Sequence, residues 1–419
     1  MADERIRLKL DVVAAPRPAA PEGFPAGGVI LSEPMRRFRC NQKGCCCSGW
    51  DIPFRLEDFL RLHDHLDEAD RAALTKKLKL VLEPPKDGGP IDVGEQVLHS
   101  LKLTGVGDDQ HCRFLADSGG CGVHAKYGLP ALPDLCVDFP SFGYRHQGDA
   151  VDLFFDPVCP EVLERLGESD EPLRLHRQEA PFGDPGFDLR AGHARTPLVA
   201  HADGVDLEPE RFSALRVLLV EAFARPRPPW RSLAAVVEGL RELQHGQHLP
   251  PDWPPEPADV THFLQFLHAC IDCHSAELLA IMLARYRRFV FALDLAPVLA
   301  ARDRLEKHLE EWRPAFEAHL DGQLDGLRGL VARWLAHRFG APFTKQRGEL
   351  RQAADAIVHL YGMALRYAAA LGATLRRPVD PAIFKVAIGA AEFFYRSVHL
   401  PMQALPWYAG VRPEAASAG

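Results

Sequence analysis

The chain has 419 residues, 47% of them hydrophobic and 25% charged, with 49 Lys and Arg against 57 Asp and Glu for a net charge of −8. That length and apolar content suit two or three globular domains with a substantial core, and the mildly acidic balance excludes a surface dedicated to nucleic acid, which needs a basic stripe. No run of about 18 apolar residues is present, so no membrane span is expected. The start Met1-Ala2-Asp3-Glu4 leads into Ala/Pro-rich sequence without the apolar core of a secretory signal, and a cytoplasmic location is expected.

Residues 1–30 carry Ala15-Pro16, Ala20-Pro21 and Gly27-Gly28 without periodicity and read as a flexible tail. A cysteine loop from Phe38 to Trp50 follows. The next stretch is helical, with Leu56, Phe59, Leu60, Leu62 and Leu66 on one side and Asp58, Arg61 and Asp64 on the other. The pattern predicts continuation through Leu74, Leu78 and Leu82 to the stop at Pro84-Pro85. From Val97 to Leu103 and from Val151 to Phe155 the period becomes strand-like, and Gln147-Gly148-Asp149 predicts a hairpin with Phe142 to Arg145. Residues 31–168 therefore form a cysteine-rich module with a few short strands. Residues 169–205, rich in Pro, Gly, Asp and His, read as a linker. Helical runs at 209–224, 231–245, 258–292, 296–338, 347–372 and 380–399, punctuated by prolines, predict a helical domain over 206–410 before a short tail at 411–419. The expected fold class is mainly α: a cysteine-rich metal-binding module packed on a C-terminal helical bundle.

The ten cysteines are unevenly placed, since Cys40, Cys45, Cys46, Cys47, Cys112, Cys121, Cys136 and Cys159 all precede residue 160. In a reducing compartment such a set points to metal binding or redox chemistry rather than disulfides. Thiolates select zinc or iron-sulfur clusters over hard cations. Gly119-Gly120 allows a sharp turn between Cys112 and Cys121, while Pro140 and Pro160 stiffen the backbone after Cys136 and Cys159. Eight thiolates exceed one four-thiolate centre, so there are either two centres or one centre with structural thiols beside it. His124 stands in a Cys-x2-His relation to Cys121, as a further ligand or as a residue that orients one. Trp50 serves either as packing or as a pocket wall.

The segments Cys46-Cys47-Ser48-Gly49-Trp50, Cys112 to His124, Leu132 to Pro140 and Cys159-Pro160-Glu161 occur in the order that marks the flagellin lysine-N-methylase family. Over residues 35–165 the chain resembles that family, within the wider group of cysteine-cluster zinc- or iron-chelating proteins. The resemblance implies a metal centre, an iron-sulfur cluster of the 4Fe-4S kind or alternatively zinc. In the methylase branch it implies methyl transfer from S-adenosylmethionine to lysines of a protein substrate. It names no catalytic residue. The glycines of Leu103 to Asp109 form only a weak candidate for a cofactor loop, because no helix follows them.

Cys270-Ile271-Asp272-Cys273-His274 matches a c-type haem string. It lies in a helical run where Phe263, Phe266, Leu267, Cys270 and Cys273 share a side, and core thiols are the better reading. Phe393, Phe394, Tyr395 and Trp407 are candidates for a second wall of a pocket shared with the cysteine module, or else for bundle core. Three functions are compatible with these features: an iron-sulfur protein lysine methyltransferase, a non-catalytic iron or zinc chelator or sensor, and an electron carrier.

Overall fold

The structure, a computed structural model, describes residues 29–39, 53–54, 56–77, 79–82, 101–104, 112, 114–116, 120–145, 151–178, 201–202, 205–243, 249–250, 252–272, 279, 283, 293–319, 324–341 and 350–397. These are mainly helical, with small sheets in the first half of the chain.

The strands are β1 (Val29–Ser32), β2 (Pro53–Phe54), β3 (Lys79–Leu82), β4 (Leu101–Thr104), β5 (Ser141–Arg145), β6 (Val151–Phe155), β7 (Leu175–Gln178), β8 (His201–Ala202) and β9 (Val205–Asp206). A four-stranded sheet runs in the order β5-β6-β1-β7, with β1 parallel to β6 and antiparallel to β7. The expected hairpin is present: β5 and β6 pair antiparallel from Ser141 opposite Phe155 to Arg145 opposite Val151. A three-stranded sheet has the order β2-β4-β3, and β8 pairs with β9.

The helices of the first half are α1 (Leu56–His65), α2 (Glu68–Lys77), α3 (Gly122–Tyr127), α4 (Asp134–Asp138) and α5 (Pro160–Gly167). The expected continuous helix through Leu82 is corrected here, because it breaks at Leu66-Asp67 and ends at Lys77. Lys79–Leu82 pairs with β4 instead, Leu80 opposite Leu103. Leu74, Leu78 and Leu82 recur at helical steps, but Leu78, Leu80 and Leu82 also alternate, and the β4 partner selects the strand.

The second half contributes α6 (Pro209–Ala222), α7 (Pro229–Glu242), α8 (Thr261–Asp272), α9 (Ala296–Ala300), α10 (Arg302–Glu310), α11 (Trp312–His319), α12 (Leu324–Gly340), α13 (Leu350–Leu375) and α14 (Pro381–Ser397). Proline opens α6, α7 and α14, where its missing N–H costs nothing. The single run expected over 296–338 is divided at Ala301 and Glu311. α13 is central: it packs against α14, α11, α8, α10 and α7, and 94% of its most apolar window is buried among them although its length and composition would also let it cross a membrane. It ends at Arg376 with φ of 55°, a left-handed stop that returns the Arg377 N–H to the Gly372 carbonyl at 3.1 Å.

Two apolar clusters result among the described residues. The main one joins the helices of the second half to Val29, Leu31, Phe38, Leu153, Phe155 and the buried side of α5, where Val162, Leu163 and Leu166 recur at helical spacing. α5 packs on α12 and α14. The expected linker at 169–205 carries β7, which belongs to the sheet packed on these helices, and also β8. The smaller cluster gathers Leu62, Leu66, Leu74, Cys112, Val123, Ala131, Leu132 and Val137.

Candidate metal centre

The smaller cluster holds three of the expected ligands. Cys112 is buried within it, and the half-buried Cys121 and Cys136 pack against it. Between the first two the chain closes on itself as the sequence predicts. Leu115 and Cys121 form an antiparallel bridge, the Ala116 N–H donates to the Gly120 carbonyl at 2.8 Å, and the Gly122 N–H donates to the Phe114 carbonyl at 2.8 Å. A side chain at Gly122 would put its Cβ 3.1 Å from that carbonyl oxygen, a tight contact that glycine avoids. Cys121 leads into α3, which ends at Gly128 with φ of 76°. Cys136 lies inside α4, its N–H donating to the Pro133 carbonyl at 2.9 Å.

Polar contacts fix both cysteine-bearing segments to the helices beneath them. On the Cys136 side, Asp58 of α1 accepts the Asp134 N–H at 2.9 Å. Arg61 donates to the Leu132 carbonyl at 2.9 Å, meets the Asp134 carboxylate at 2.8 Å and pairs with Asp58. On the Cys121 side, Lys126 bridges Asp67 at 2.8 Å and Asp70 at 2.6 Å, and the Tyr127 hydroxyl donates to Asp70. The Lys126 hydrogen bond, reinforced by the Asp70 N–H, lowers the Asp67 pKa to about 2. Lys126 and then Tyr127 lower that of Asp70 as well, and the same carboxylates raise that of Lys126.

Asp58 and Arg61 were expected on the side of their helix opposite Leu56, Phe59, Leu60, Leu62 and Leu66. Their side chains are 4% and 8% exposed, because the 132–134 loop covers them. Only their i, i+3 spacing marks them in the sequence, and many surface pairs share that spacing.

Cys159 belongs to the main cluster. It is buried there just before α5, its N–H donating to the Asp156 carbonyl at 3.0 Å. Phe38, two residues before Cys40, packs in the same cluster with its ring 5.0 Å from that of Phe155. Cys40, Cys45, Cys46, Cys47, Trp50 and Gly105 to Gly107 lie outside the described residues. Among the described residues no group of three or more His, Cys, Asp or Glu side chains is arranged to hold a metal ion. Thiols such as Cys112, Cys121 and Cys136 are donors of the kind a thiophilic metal takes.

Cys270 is fully buried in the main core, in line with a core thiol, while Cys273 and His274 lie outside the described residues. Phe393 and Phe394 are buried in the main core and Tyr395 packs against it; Trp407 lies outside the described residues. Comparison of the chain with family models, with curated proteins and with solved structures gives no match.

Proposed function

We propose that the protein is a thiolate metal-centre protein, holding an iron-sulfur cluster or zinc through Cys112, Cys121 and Cys136 together with cysteines of the 40–47 segment. The observation that supports this reading is the gathering of Cys112, Cys121 and Cys136 on one small apolar cluster, with the segments of the last two clamped to α1 and α2 by polar contacts. Packing thiols need no such fixing, whereas ligands must hold their geometry. The described chain also leads toward the 40–47 segment from Phe38 in the main cluster and away from it into β2, whose sheet contacts α1.

The activity we assign to this centre is methyl transfer from S-adenosylmethionine to lysine side chains of a protein substrate, on the strength of the ordered cysteine motifs. A non-catalytic chelating, sensing or electron-transfer module is the second reading. It is favoured by the largely aliphatic surroundings of the thiols, Leu62, Leu66, Leu74, Val123 and Val137.

Protein purified without oxygen should contain iron with sulfide, or zinc, in fixed ratio to the chain. Cys136→Ser should lose much of that metal and destabilise the first half, since metal binding is coupled to folding. Cys159→Ala tests whether the main-core thiol contributes as well. Metal-free protein with all thiols reduced, or unchanged metal in Cys112→Ser, Cys121→Ser and Cys136→Ser, would overturn the assignment. With metal established, S-adenosylmethionine binding in equilibrium dialysis separates the two readings.

A further inference from the structure

We propose that Asp58 and Arg61 of α1 are positioning residues for Cys136, setting where its thiol stands relative to Cys112 and Cys121; this rests on the metal-centre reading above. α4 has only five residues and cannot hold its own orientation, so its place depends on how the chain arrives at Asp134. That arrival is fixed at three points from one helix: the Asp134 N–H on the Asp58 carboxylate, the Leu132 carbonyl on the Arg61 guanidinium, and the Asp134 carboxylate on the same guanidinium. Asp58 also pairs with Arg61, so the two side chains hold one another as well as the loop. Cys136 follows two residues later, its N–H tied to the Pro133 carbonyl inside the clamped turn.

The arrangement depends on the shape of arginine. Its planar fork reaches the Leu132 carbonyl, the Asp134 carboxylate and Asp58 at once, which the single ammonium of lysine cannot do. Charge alone would not place Cys136; the fork geometry does.

Two readouts on the full-length chain test this. The first is zinc affinity, by competition with a chromophoric chelator. The second is the rate at which N-ethylmaleimide modifies Cys136 and Cys121 in metal-free protein, resolved by peptide mass spectrometry. Arg61→Lys should weaken zinc binding by about 10- to 100-fold. It should speed modification of Cys136 while leaving Cys121, held on the separate Lys126 side, unchanged. Asp58→Asn keeps an acceptor for the Asp134 N–H and should restore part of both properties relative to Asp58→Ala. Should Arg61→Lys fail to fold by circular dichroism, the two Asp58 variants decide by the same readouts. Wild-type zinc affinity and a wild-type Cys136 rate in Arg61→Lys would overturn the clamp alone. A wild-type chain that binds no metal, as purified or on addition of zinc, would overturn the centre and this inference together.

Discussion

Two buried imidazoles make the stability of the molecule depend on pH. His337 of α12 is held between two strands: the Ser32 hydroxyl donates to Nδ1 at 2.8 Å, and Nε2–H donates to the Phe155 carbonyl at 2.6 Å. Burial pushes its pKa from 6.5 to about 4, against the pull of the Phe155 carbonyl. His359 on α13 is 1% exposed with neither ring nitrogen hydrogen-bonded, and burial pushes it to about 4 as well. Each folded-state value lies below the unfolded one, so between them the unfolded chain binds more protons. The contribution of each imidazole is full above pH 6.5 and is lost as the pH falls toward about 4, by about 3 kcal/mol apiece. Urea unfolding free energies should therefore drop steeply across that interval. His359→Leu removes two unsatisfied polar atoms from the core and should raise stability at pH 7 by about 1–3 kcal/mol while flattening the acid-side slope. An unchanged slope would show that His359 is solvated in the folded chain.

At the scale of elements, the helices of the second half approach one another and their loops closely enough to leave no room for a methyl group at some positions. Gly239 of α7 faces the Trp253-Pro254 loop, where a Cβ would sit 2.7 Å from Pro254 Cβ and 2.9 Å from Trp253 Cζ2. That loop is tied down by Arg225, just beyond α6, which donates to the carbonyls of Pro254 at 2.7 Å, Asp252 at 2.6 Å and Trp253 at 2.9 Å, so it cannot yield freely. Gly239→Ala should therefore destabilise by about 1–3 kcal/mol even though alanine is the better helix former, and the thermal midpoint should fall. The helices here were legible because their starts carry proline and their apolar residues recur at helical steps; the β5-β6 hairpin was legible from alternation around a turn. β3 was not, because its leucines fit both periods, and the burial of Asp58 and Arg61 was not, because the covering loop lies some seventy residues along the chain. For the site, the turn joining Cys112 to Cys121 could be read from its glycines, whereas the place of Cys159 in the main core depends on α5 packing against α12 and α14.

For the whole molecule, the four-stranded sheet of the first half and the helices of the second share the main apolar cluster. β1 and β6 are far apart in sequence yet adjacent and parallel, and no local pattern announces a pairing of that kind. The sheet is fastened to the helices by buried polar groups. Arg216 of α6 meets Asp152 of β6 at 2.7 Å and donates through Nε to the Gly340 carbonyl at the end of α12 at 3.0 Å. Helix α5 is tied to the bundle in turn, since Arg333 of α12 donates to the Leu166 carbonyl at 2.6 Å and Lys385 of α14 pairs with the partly exposed Glu164. With Arg216 and Asp152 both essentially out of solvent, removing one partner leaves the other charge in a medium that cannot solvate it. Arg216→Met should cost about 3–5 kcal/mol, and Asp152→Asn with Arg216→Met should regain much of that, since the stranded charge is gone. Because Asp152 lies in the sheet and the tryptophans of the main core lie among the helices, the loss should appear as one cooperative transition in tryptophan fluorescence and circular dichroism alike. A loss under about 1 kcal/mol, or a sheet that melts separately from the helices, would show that the pair does not bind the two parts into one unit.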